Sequence, residues 1–119
     1  MPNRRLTQAE LEHARLLLTM VRAGLRQLAG EDSELLFALR RKVYKELTYD
    51  ERDKPMVRRR LKAQKRQEQG GQCPICSRPL PEKYCVLDRL NAAAGYTAEN
   101  TRLICSVCDT ATQQSRGYA

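Results

Sequence analysis

The sequence predicts an α+β protein: an N-terminal α-helical hairpin, a basic linker helix, and a small C-terminal ββα module. Three observations predict it. Apolar residues recur at helical spacing through the first third of the chain. Two C-x2-C pairs, Cys73/Cys76 and Cys105/Cys108, bracket the last third with 28 residues between them. Two short apolar segments, 84–90 and 101–104, lie between those pairs and read as strands. The expected divisions are residues 1–52, 53–70 and 71–119.

Thr7-Gln8-Ala9-Glu10 is a capping box that opens the first helix. Leu11, Ala14, Leu18, Val21, Leu25 and Leu28 then fall on one stripe at heptad spacing, and Gly30 should end the helix. The stripe can pack against the next helix or pair with a second copy as a homodimer seam. Asp32 or Ser33 caps a second helix expected to reach Leu47, with Leu36, Leu39, Val43 and Leu47 on its apolar face. A polar break is expected from Thr48 to Asp53. Asp53 should cap a third helix that tolerates Pro55 in its first turn and stops at Gly70-Gly71.

The chain has 119 residues and a net charge of +8. Residues 40–66 contain twelve basic and four acidic residues, so the whole excess lies in that segment. Localised positive charge is the footprint of a polyanion binder, and nucleic acid, DNA or RNA, is the expected partner. The candidate contacts are Arg40, Arg41, Lys42, Arg58, Arg59, Lys62, Lys65 and Arg66. Arg58, Lys62 and Lys65 share one helix face by spacing. The same charges also suit a solvated helix surface, and those on the second helix suit the negative end of its dipole.

One Phe, no Trp and five Tyr leave little material for an aromatic core. A metal can supply stability that packing then lacks. Two C-x2-C pairs form a four-thiolate set suited to structural zinc, with Cys73, Cys76, Cys105 and Cys108 as ligands. Cys85 is left over and reads as a small apolar residue at the start of a strand. The expectation is a soluble, cytoplasmic protein of a reducing compartment, without a signal peptide. Leu16-Leu17-Leu18, the most apolar run, is far too short to span a membrane.

Asp88 at the end of the first strand, Asn100 before the second, and Cys105/Cys108 at the closing helix carry a further pattern. With Cys73/Cys76, it resembles the HNH, or His-Me finger, nucleases of the endonuclease VII type. The resemblance covers residues 71–119 and departs from the family twice: Arg89 stands where the family has its His, and Asp109 where Asn is usual. It implies a ββα fold, a Mg or Mn ion at Asp88 and Asp109, and Asn100 pinning the loop. In the family the His takes a proton from the attacking water. Arg89 stays protonated and cannot do so. The only other imidazole, His13, lies in the first helix and belongs to no motif.

Three readings follow. The module is a degenerate nuclease that binds nucleic acid, with Arg89 on a phosphate; or a metal-dependent endonuclease with a non-standard base; or a zinc-containing adaptor between proteins. The catalytic set under discussion is Asp88, Arg89, Asn100 and Asp109.

Overall fold

The structure, a computed structural model, describes residues 3–117. The helices are α1 (Gln8–Ala29), α2 (Ser33–Arg52), α3 (Pro55–Glu68) and α4 (Ser106–Arg116), and the strands β1 (Val86–Arg89) and β2 (Thr101–Ile104). The fold is α+β. The chain divides into two compact units, Arg4–Asp50 and the part from Glu51 onward, to which Asn3 also belongs.

In the first unit, α1 begins as its sequence dictates. The Thr7 hydroxyl accepts from the Glu10 N–H at 3.2 Å, and the Glu10 carboxylate accepts from the Thr7 N–H at 2.9 Å. Gly30 ends the helix at φ 58°, a conformation costly for a residue with a side chain. Asp32 caps α2 by accepting from the Leu35 N–H at 3.0 Å. The apolar stripes are only partly covered. Leu11, Val21, Leu25, Leu36, Leu39 and Val43 are half-buried, and Ala29 beside the turn is the one fully buried residue described in either helix.

The second helix was expected to stop at Leu47, but α2 continues to Arg52. Thr48, Tyr49 and Asp50 are polar without being helix breakers, and the Thr48 hydroxyl donates back to the Tyr44 carbonyl at 2.8 Å. Asp53 does not cap α3 as expected. It turns the chain at φ 58°, and Lys54 is the cap residue, with no side-chain hydrogen bond. Pro55 holds the first helical position, where its missing N–H costs nothing.

In the second unit β1 and β2 pair antiparallel, with Leu87 opposite Leu103 and Asp88 opposite Arg102. The first strand is shorter than expected, because Tyr84 has a φ of 67° and cannot join an extended run. Its buried residues are Leu87 and Asp88, whereas Leu90, inside the expected strand but past the end of β1, is 52% exposed. α3 packs on β2 and α4 on β1. The core is Leu103, Ile104, Leu80, Cys73 and Cys108, with Cys76, Cys85, Val86 and Cys105 against it. Four of these nine are the paired cysteines, so whatever joins those sulfurs also closes the core. Among the described residues no helix is long and apolar enough to cross a membrane.

Candidate metal centre and the neighbouring cleft

The first cysteine pair sits on a tight turn. The Ser77 N–H donates to the Cys73 carbonyl at 2.8 Å, the Cys73 N–H donates to the Arg78 carbonyl at 2.9 Å, and Ser77 takes the left-handed conformation that reverses the chain. The second pair opens a helix: Cys105 is the cap residue of α4, and Cys108 lies in its first turn. Strand pairing brings the two turns together. The four Sγ atoms all lie within 4.8 Å of one another, with Cys76 and Cys105 at 3.8 Å. Metal–sulfur bonds of about 2.3 Å in a tetrahedron place sulfurs about 3.8 Å apart. No disulfide joins any of the five cysteines, so the sulfurs meet at ligand rather than bonding distance.

The thiols are not equivalent. Burial raises the Cys73 pKa, but backbone N–H groups of Cys76, Cys105 and Ile75 outweigh it and bring the thiol down to about 6. Cys105 is also lowered, first by the backbone N–H of Cys108. Cys108 moves the other way, pushed up to about 12 by Cys105 first and then by burial. Four thiolates in one cavity repel unless a cation neutralises them. The cluster is a candidate metal site, compatible with a zinc-binding module.

The second feature lies around Asp88. Its side chain is 1% exposed and holds two guanidinium groups. Arg102 Nε donates to Oδ2 at 3.0 Å; Arg116 Nη1 donates to Oδ1 at 2.8 Å and its Nη2 to Oδ2 at 3.4 Å. Both carboxylate oxygens are therefore engaged. Asp88, Arg89, Asp109 and Arg116 line a cleft of about 390 Å³ together with Glu51 and Tyr96. Asp109 reaches it from α4, where its Oδ1 accepts from Gln113 at 3.0 Å. A divalent ion between Asp88 and Asp109 would have to approach a carboxylate already bound by two positive side chains. Nothing in this geometry supports Mg or Mn there.

Arg89 is fixed on three sides. Its guanidinium carbon lies 4.7 Å from the Tyr96 ring centre, and Nη1 donates to the Ala92 carbonyl at 3.2 Å and to Glu51 Oε1 at 3.4 Å. Asn100 ties the loop between the strands. Its Nδ2 donates to the carbonyls of Asn91 at 2.7 Å and Gly95 at 2.6 Å, while its Oδ1 accepts from the Asn91 N–H at 3.0 Å.

The basic residues have unequal surroundings. Arg58 donates to the carbonyls of Arg52, at 3.0 Å, and Asp53 at the end of α2. Arg66 donates to the carbonyls of Leu80 and Pro81 and to Cys85 Sγ at 3.2 Å, fastening α3 to the module. Lys65 pairs with Glu68 at 3.2 Å and Lys42 with Glu46 at 2.8 Å. Arg41 lies over the Phe37 ring. Arg40, Arg59 and Lys62 are exposed.

Sequence reasoning missed Arg102, Arg116, Tyr96 and Glu51, and also Gln69, whose side-chain amide bonds the Leu103 carbonyl at 2.8 Å and N–H at 2.9 Å. Arg102 had a signal, since one acid and one base stand on strands that could pair. The register that sets them opposite each other comes from the fold. Compared with protein-family models, curated proteins and solved structures, the chain matches none.

Proposed function

We propose that this chain is a zinc-stabilised protein that binds nucleic acid, DNA in the first instance, and does not cut it. The zinc reading rests on four converging thiols whose sulfurs all lie within 4.8 Å of one another, a donor set in which zinc is the common structural ion. The closed four-sulfur site supplies stability and leaves no position for reacting water. Support for nucleic acid comes from the charge excess in residues 40–66 and from the exposure of Arg40, Arg59 and Lys62.

The observation that carries the non-cleaving reading is Asp88. Where the nucleases that this module resembles place a metal ligand beside a base, Asp88 is locked between Arg102 and Arg116, and Arg89 follows it. The Arg102 and Arg116 guanidiniums do for the carboxylate what a divalent ion would do, and neither they nor Arg89 can accept a proton.

The test is one preparation and two assays. Binding to plasmid and branched DNA is measured across a salt series, and nicking is measured with Mg and with Mn. Salt-sensitive binding without nicking is expected. Divalent-dependent nicking by the wild-type chain overturns the non-cleaving reading, and absence of binding at low salt overturns the nucleic-acid reading in favour of a protein adaptor.

A further inference from the structure

We infer that Arg89 is a phosphodiester-binding arginine and that Glu51 occupies it in the free protein as an intramolecular substitute for the phosphate. The inference rests on the nucleic-acid reading above and names the contact and its built-in competitor.

The asymmetry of the pair motivates it. The Arg89 side chain is 17% exposed and immobilised by Tyr96 and the Ala92 carbonyl, whereas the Glu51 side chain is 64% exposed. At 3.4 Å the contact is at the long end of a charged hydrogen bond. A fixed guanidinium faced by an exposed carboxylate is a pre-formed anion site with a displaceable occupant. Only Nη1 of Arg89 is engaged; Nε and Nη2 have no hydrogen-bond partner among the described residues. A phosphate, with more acceptor oxygens than a carboxylate, can take that free edge.

The charge of the cleft points the same way. Three arginines (Arg52, Arg89, Arg116) and three carboxylates (Glu51, Asp88, Asp109) line it, so it is balanced as it stands. Asp88 is spent on Arg102 and Arg116. Glu51 is the carboxylate of the three whose exposed chain can swing into water. When it leaves, the cleft becomes net positive around a guanidinium already held in place, and the backbone of a nucleic acid supplies the returning negative charge. Stacking on Tyr96 keeps Arg89 from following Glu51 outward.

The test compares Glu51→Gln with Glu34→Gln, a charge-matched change in the first turn of α2. Both are titrated with a short labelled DNA duplex and with its single strand. Glu51→Gln is expected to bind about two- to fivefold more tightly than wild type, the range of an exposed ion pair, beyond any gain from Glu34→Gln. Placing Glu51→Gln on Arg89→Gln should erase that gain. Arg89→Lys provides the same test with the charge retained: a point charge without the fork or the stacking should weaken binding and shrink the gain. Equal effects of Glu51→Gln and Glu34→Gln, or a gain that survives loss of Arg89, would overturn the inference while leaving nucleic-acid binding intact. A wild type that binds neither strand form overturns both.

Discussion

Asp88 and Arg116, 28 residues apart, form a two-bonded ion pair at 2.8 and 3.4 Å in the interior of the C-terminal unit. The pair ties β1 to the end of α4, and Arg102 completes it from β2. One buried carboxylate thus joins all three elements of the ββα module. Asp88→Ala would leave Arg116 desolvated and unpaired, and breaking a buried pair from one side costs about 3 kcal/mol or more. Urea denaturation should show a loss of that order, and Arg116→Met on the Asp88→Ala background should recover part of it. A stability change near zero would mean that Asp88 serves something other than the fold.

Removing the metal should unfold the module and spare the N-terminal helices. Cys73, Cys76, Cys105 and Cys108 make up much of the small core, while α1 draws on its own capping box and helical hydrogen bonds. Metal analysis should give one zinc per chain. Chelation or Cys73→Ser should remove the dispersed amide signals of residues 71–117, with most of the helical circular dichroism retained. A metal-free protein that keeps those signals would show that the sulfurs are only packed together.

Gln69→Ala should destabilise the module more than its half-exposed surface suggests. The Gln69 amide donates to the Leu103 carbonyl at 2.8 Å and accepts from the Leu103 N–H at 2.9 Å. Leu103 is 1% exposed, so truncation strands two buried backbone groups. Each costs about 1–3 kcal/mol. Gln69→Glu keeps the acceptor but sets a second acceptor against the Leu103 carbonyl, and should also destabilise. The measurement is the urea midpoint of the three proteins.

The basic residues should separate into two classes. Arg59→Gln with Lys62→Gln should weaken DNA binding and flatten its salt dependence by about one unit of slope per lost phosphate contact, without a change in stability. Arg66→Gln should instead lower stability, because its guanidinium fastens α3 to the Leu80 and Pro81 carbonyls. If Arg66→Gln acts only on binding, its structural bonds are dispensable and its place in the second class is wrong.

What the sequence made legible was local. The capping box, Gly30, β2, the helix after Cys105 and the cysteine pairs all follow from short-range rules, and the structure repeats them. The end of α2 was not legible, because Thr48–Arg52 is polar without being helix-breaking, and polarity alone does not stop a helix. The site residues divide on the same line. Asn100 sits beside the loop it ties, so a motif could point to it. Arg116 meets Asp88 only through the strand register and the direction of α4, and Gln69 meets Leu103 across 34 residues. No spacing within a few residues encodes such partners. The positive charges of 40–66 were visible as a sum, but their differing surroundings depend on which carbonyls and carboxylates the fold brings within reach.

The Gln69–Leu103 exchange also bears on how this chain behaves in a crowd. A sheet of two strands has two open edges, and an open edge recruits strands from other molecules. On β2 the groups that would template such pairing at Leu103 are taken by a side chain that mimics a neighbouring strand for a single residue and then ends. The Gln69 amide, set just past the end of α3, caps the ladder at that residue without extending it, so an incoming strand would find no free backbone pair at Leu103.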